Sequence, residues 1–167
     1  MTNFKVIDNF LNDDDLNEVK DNIFQAPLYY QPTVSGMNDS NSYWDYYFYH
    51  SIYNNNKPHS KVFDNIYNIF IPKFQKYDTI KSLLRIKLNF YPYTETLKEH
   101  AQHIDYEFSS YGAVFSLNTC DGFTRLHDGT KIDSVENRML FFDPSLEHNS
   151  STTTNSSGRW NINFNFL

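Results

Sequence analysis

The C-terminal run Arg159-Trp160-Asn161-Ile162-Asn163-Phe164-Asn165-Phe166 alternates polar and apolar residues without a break. Side chains two apart on a strand share a face. Arg159, Asn161, Asn163 and Asn165 therefore form one face, and Trp160, Ile162, Phe164 and Phe166 the other. A strand this aromatic on one side must bury that side under a second layer. A second run from Ser82 carries the same signature, with Leu84, Ile86, Leu88 and Phe90 on one face and Arg85, Lys87, Asn89 and Tyr91 on the other. Two such strands in one sheet would point a polar face into a pocket or into solvent, and pattern alone leaves both open.

The covering layer is expected from the N-terminal half. Phe4 to Leu11 reads as a short strand ending in a turn. Asn12 or Asp13 can cap a helix running to about Phe24, with Asp13, Asp14 and Asp15 at the positive end of its dipole and Leu16, Val19, Ile23 and Phe24 on one face. Residues 26 to 42 hold Pro27, Pro32 and Gly36 and read as loop. Tyr43 to Tyr49 reads as an aromatic strand, and Asn54-Asn55-Asn56 as a turn. Ser60 to Tyr77 has helical spacing, with Pro72 expected to kink it or end it early.

The C-terminal half reads as closely spaced strands: Tyr111 to Asn118, Phe123 to Leu126 and Arg138 to Phe142, joined by turns at Asp121-Gly122 and Asp128-Gly129. Ser150 to Gly158 reads as a polar loop. Helices early and strands late predict a mainly β (α+β) chain, a double-stranded β-helix (jelly roll) with supporting N-terminal helices, in a single domain over residues 1–167. The 15 Phe and 13 Tyr suit a sheet-rich core. The net charge is −6, and no basic run is present to neutralise a phosphate backbone, which argues against nucleic acid as a partner. Cys120 is the only cysteine, and no signal peptide or 18-residue apolar run appears. A cytoplasmic protein without a membrane partner is expected.

The chemistry centres on His100-Ala101-Gln102-His103-Ile104-Asp105. Read as strand, this stretch puts His103 and Asp105 on one face and His100 on the other, exposed. An imidazole beside a carboxylate makes two-thirds of a small metal site. Of the other histidines, His148 is the best third ligand, because three or four intervening strands could return the chain beside His103. Two histidines and a carboxylate on one face of a metal leave three adjacent positions open, the arrangement of non-haem Fe(II) oxygenases. Arg159 then matters. A buried guanidinium needs an acid partner, its strand offers none, and its planar fork fits a ligand carboxylate. Thr124 could line the same pocket. His50, His59 and His127 read as loop or strand-end residues.

Together these pieces resemble the 2-oxoglutarate/Fe(II)-dependent oxygenase superfamily. The matching elements are His103-x-Asp105, His148, and Arg159 opening Arg-Trp-Asn-Ile-Asn-Phe. The Asn89-Phe90-Tyr91 strand lies upstream, and the Phe4-to-Leu11 opening is similar to that of prolyl-hydroxylase-like members. The resemblance implies that His103, Asp105 and His148 bind Fe(II) and that Arg159 holds the distal carboxylate of 2-oxoglutarate. Tyr91 would hydrogen-bond that carboxylate, and Asn89 and Asn161 would help hold the cosubstrate. It further implies hydroxylation of a small-molecule or peptide substrate, such as a prolyl or other amino-acid side chain, using O2 and releasing succinate and CO2. Asp105 fills the position that family halogenases open to halide, which favours hydroxylation. Two other readings stand beside this one: a nucleic-acid base demethylase and a non-catalytic jelly-roll binding module. In the demethylating branch a second Arg commonly follows the first by six residues; here that position is Asn165.

Overall fold

The computed structural model describes residues 4–35, 42–77 and 80–167. Their elements run β1 (Lys5–Ile7), α1 (Asp13–Ile23), β2 (Tyr29–Gln31), β3 (Tyr47–Asn54), β4 (Lys57–Pro58), α2 (Phe63–Phe74), β5 (Leu83–Pro92), β6 (Tyr111–Ser116), β7 (Phe123–Leu126), β8 (Lys131–Asp133), β9 (Arg138–Phe142), β10 (His148–Ser150) and β11 (Gly158–Phe166). These form a large sheet in the order β1-β9-β6-β11-β5-β3-β2, with β4 on β3, facing a small sheet β10-β7-β8. Each pairing between these strands is antiparallel. The layout is the expected double-stranded β-helix with two helices on the outside of the large sheet. No helix among the described residues is long and apolar enough to cross a membrane.

The two alternating runs become neighbours. β11 lies between β5 and β6, with Arg159 opposite Tyr91, Asn161 opposite Asn89, Asn163 opposite Lys87 and Asn165 opposite Arg85. Their outer faces, led by Ile86, Leu88, Ile162, Phe164 and Phe166, meet Val19 and Ile23 of α1 and Ile66, Phe70 and Phe74 of α2 in one core. Phe70 is fully buried, with its ring 4.8 Å from Phe164 and 5.0 Å from Phe115. Each such side chain contributes roughly 1.5–3 kcal/mol by leaving water. The aromatic face therefore pins the sheet to the helices and leaves the polar face pointing between the two sheets.

α1 begins as expected: Asn12 Oδ1 accepts a hydrogen bond from the Asp15 N–H at 2.8 Å. α2 is shorter than the Ser60-to-Tyr77 expectation, and it stops two residues after Pro72. The aromatic strand starts at Tyr47 rather than Tyr43, because residues 43–46 turn before the pairing with β5 begins. The expected loop over 26–42 contains β2, an edge strand; residues 36–41, with Gly36, lie outside the described residues. The expected N-terminal strand is only three residues long. His50 is a buried mid-strand residue, its ring nitrogens 2.8 Å from the Pro27 carbonyl oxygen and 2.7 Å from Ser60 Oγ.

Candidate active site

The stretch from His100 to Asp105 is not a strand. Glu99 bridges Ser151 and His103 bridges His148, so four steps on one side face three on the other. An extra residue disrupts the ladder and resets which way side chains point. That reset explains His100, which is buried at 3% exposure rather than outward and exposed. Its Nδ1 lies 2.9 Å from Ser150 Oγ, and its ring lies against Tyr91 and Trp44. Burial pushes its pKa down to about 3, with Arg159 and His103 adding to the effect, so the ring is neutral at ordinary pH. The polar loop expected from Ser150 is likewise corrected at its start: Ser150 closes β10, and Ser151, Thr152 and Thr153 are buried. Their hydroxyls and backbone bond to neighbours, which is how polar residues are buried without penalty.

The irregular segment nevertheless fixes three side chains. His103 and His148 exchange both backbone hydrogen bonds at 3.0 Å, and the Asp105 N–H donates to the Pro144 carbonyl at 2.9 Å. Four strands, β6 to β9, separate Asp105 from His148 in the chain, and closure of the barrel brings them together. One ligand atom from each of His103, Asp105 and His148 lies within 4.8 Å of the others, a spacing at which one ion can be held. Each histidine also has a local brace. His103 Nδ1 is 3.4 Å from the Ala101 carbonyl oxygen, and His148 Nδ1 is 3.0 Å from that of Leu146. A ring that gives its Nδ1 proton to a carbonyl keeps Nε2 free as a metal ligand.

Electrostatics favour the same use. Burial, followed by the proximity of His148, pushes the His103 pKa down to about 4, which keeps the imidazole neutral. Burial raises the Asp105 carboxyl, but the nearby Arg85 guanidinium outweighs it, and the carboxyl stays ionised below the usual range. Arg85 Nη2 sits 2.8 Å from Asp105 Oδ1, Asn165 Nδ2 donates to Asp105 Oδ2 at 2.9 Å, and Arg85 Nε donates to Asn165 Oδ1 at 3.0 Å. The three side chains form a closed ring that orients the carboxylate. Alternation placed Arg85 and Asn165 on inward faces, but nothing in the sequence signalled that they would meet Asp105.

Arg159 opens β11 on the inward face and is 1% exposed. Its Nη2 donates to Thr124 Oγ1 at 2.7 Å, which places Thr124 in the pocket. Among the described residues, Nε and Nη1 have no hydrogen-bond partner, and no carboxylate pairs with the guanidinium. Tyr91 covers it, with the guanidinium carbon 5.6 Å from the ring centre. Gly122 is required by this side chain, because a Cβ there would stand 2.7 Å from Arg159 Cδ and from the Thr152 carbonyl oxygen. Asn89 and Asn161 meet across β5 and β11, Nδ2 to Oδ1 at 2.9 Å. His103, His148, Tyr91, Arg159, Asn161 and Thr124 line one small cavity. The sequence-predicted residues are thus gathered in one place, with Asn89 beside Asn161 on the neighbouring strand.

No protein-family model and no curated protein sequence matches the chain. Solved structures do match over nearly its whole length. A prolyl hydroxylase from Trichoplax adhaerens, in complex with a peptide of hypoxia inducible factor, aligns with a TM-score of 0.69 at 15% identity, covering 99% of this chain and 84% of that one. The chain has the fold of the 2-oxoglutarate/Fe(II) oxygenases. A Pseudomonas putida prolyl-4-hydroxylase aligns at 0.67 and 13% identity, covering 99% and 93% of the two chains. HygX from Streptomyces hygroscopicus, with nickel and 2-oxoglutarate bound, aligns at 0.66 and 11% identity, covering 99% and 82%. At these identities the likeness is one of fold, and the chemistry rests on this chain's own side chains.

Proposed function

We propose that residues 1–167 form one 2-oxoglutarate- and Fe(II)-dependent oxygenase domain that hydroxylates its substrate. One observation carries the reading. A buried guanidinium whose Nε and Nη1 are unpartnered among the described residues shares a cavity with two histidines that converge with a carboxylate. A buried cation without an acid costs several kcal/mol unless a ligand brings one.

His103, Asp105 and His148 would hold Fe(II), a donor set of two imidazoles and a carboxylate suited to this ion. Arg159 would take the distal carboxylate of 2-oxoglutarate through its unpartnered N–H groups, with Thr124 and Tyr91 fixing its direction. Asn89 and Asn161 would border the cosubstrate chain. When bound, iron and 2-oxoglutarate supply the oxidising chemistry, releasing succinate and CO2. The protein's part is orientation: a fixed carboxylate, two imidazoles held in one tautomer, and an anchor for the cosubstrate's far end. The prolyl hydroxylase likenesses support a small-molecule or peptide substrate, such as a prolyl or other amino-acid side chain. The cytoplasm suits the lone thiol of Cys120.

The test is iron-dependent conversion of 2-oxoglutarate to succinate. The wild type is expected to form succinate with Fe(II) and the His103→Ala variant none. A wild type that binds neither Fe(II) nor 2-oxoglutarate would overturn the reading.

A further inference from the structure

The chain is acidic overall, yet three basic side chains point into its barrel. Arg85, Lys87 and Arg159 all sit on inward faces of β5 and β11, and among the described residues Asp105 is the carboxylate that forms a salt bridge with one of them. Arg85 is taken by Asp105. Arg159 is the anchor for the cosubstrate's far carboxylate. Lys87 is left over. It is half-buried, and among the described residues it forms no salt bridge. Its Nζ meets only the Tyr47 hydroxyl, at 3.3 Å, and the Tyr47 ring, 5.2 Å to the centre. Neither neutralises an ammonium; burial, then the nearby Arg85, pushes the Lys87 pKa down to about 7 against the pull of Asp105, and a ligand carboxylate would favour its charged form.

Opposite Lys87 on β11 stands Asn163, which lines the cavity shared by the two histidines and Arg159. Its Oδ1 is buried, with no hydrogen-bond partner among the described residues. The sheet register puts this pair between two occupied rows. On one side Asn89 and Asn161 bond each other; on the other Arg85 and Asn165 hold Asp105. An unpaired amine and an unpartnered amide oxygen face inward at the same level of the barrel. A single small molecule with a carboxylate and an N–H group would satisfy both.

We propose that Lys87 and Asn163 form a second carboxylate site, beside the metal ligands, that receives the substrate: a free amino acid or short peptide, with its carboxylate on Lys87 and an N–H donated to Asn163. One ammonium and one phenol hydroxyl match a single carboxylate rather than a phosphate dianion, whose greater charge calls for more donors. The proposal rests on the oxygenase reading, and it narrows that reading's substrate class to carboxylated compounds.

The experiment uses protein loaded with zinc(II), which does not turn over, and 2-oxoglutarate. The probes are the twenty L-amino acids and their primary amides, with binding read by ligand-observed NMR. Metal and 2-oxoglutarate uptake by the wild type is measured first; its absence removes the functional reading and this proposal with it. Given uptake, at least one acid is expected to bind ~tenfold or more tighter than its amide. Lys87→Met should abolish that preference while leaving 2-oxoglutarate affinity within about twofold, and Lys87→Arg should restore part of it. If Lys87→Met fails to fold, Lys87→Gln serves in its place. Equal binding of acids and amides, or binding of neither, overturns the proposal alone. So does a tenfold loss of 2-oxoglutarate affinity in Lys87→Met, which would assign Lys87 to the cosubstrate instead.

Discussion

The interior of this barrel is built by two kinds of chain. On one side β5 and β11 run in near-perfect register, and their alternation places Arg159, Tyr91, Asn89 and Asn161 as surely as it buries Phe164. On the other, residues 99–105 and 143–153 hold together through isolated bridges, and they carry the His103, Asp105 and His148 side chains. The regular side can hold an elongated ligand because a strand offers contacts at fixed intervals. The irregular side can surround a point, because His103 and Asp105, on backbone that breaks its alternation, converge with His148 at the start of β10. A metal ion and a dicarboxylate make different geometric demands, and each demand is met by the kind of backbone that suits it.

The sharpest way to break this contrast is at the point of convergence. His148→Ala removes one of three groups and leaves the backbone bridge to His103 intact. Metal binding, followed by calorimetry with Fe(II) or Mn(II), is expected to fall by ~100-fold or more, with succinate formation lost. Thermal stability of the metal-free protein should change little by comparison. A variant that keeps near-native metal affinity would remove His148 from the ligand set.

The regular side is broken from outside. Phe70→Ala empties a fully buried site against Phe10, Phe74, Phe115 and Phe164, and should cost ~3–5 kcal/mol in chemical denaturation. The sheet loses its support while every inward side chain is unchanged. Metal affinity of the remaining folded fraction is therefore expected to stay near wild type, and a parallel loss of affinity would show that the two sides are coupled. Arg159→Met separates them from within. Removing the anchor should weaken 2-oxoglutarate by roughly 1.5–3 kcal/mol, about ten- to 150-fold, with metal affinity unchanged. Because the guanidinium is buried without an acid among the described residues, its loss should leave the fold as stable or more so.

The contrast also explains what could be read from the chain. Alternation is local, so the shared face of Arg159 and Asn161, the aromatic face opposite and the covering helices are legible, while whether the polar face meets a pocket or solvent is not. The ligands were legible as residue types and spacing, but their backbone was not. A bridge with an extra residue leaves no trace in periodicity, and so strict alternation puts His100 on the wrong face. The Arg85–Asp105–Asn165 ring was invisible for a different reason. Asn165 lies 60 residues from Asp105 and 80 from Arg85, and nothing local marks which polar residue meets which. Short edge strands such as β2 and β4 were lost among turn residues, since two or three residues carry no period.

His100 offers the finest test, because it sits where the two sides touch, bonded to Ser150 and against Tyr91. Its pKa in the folded chain is about 3, below the 6.5 of a free imidazole, chiefly through burial. A group buried neutral binds fewer protons in the folded state than in the unfolded state at intermediate pH. Stability then falls as pH drops from about 6.5 towards about 3 and is independent of this group above 6.5. His103, depressed to about 4, acts in the same direction over the upper part of that window. Asp105, held low by Arg85, adds its own loss only below the ordinary carboxylate range. His100→Gln preserves a polar side chain that can reach Ser150 and removes the titration. Metal-free variant and wild type are expected to differ most in the pH dependence of denaturation between pH 6.5 and 4. The variant should lose ~1–2 kcal/mol less over that interval, a discounted share of the full linkage. Equal slopes would mean that water already reaches the ring, and that the irregular side is looser around His100 than its 3% exposure indicates.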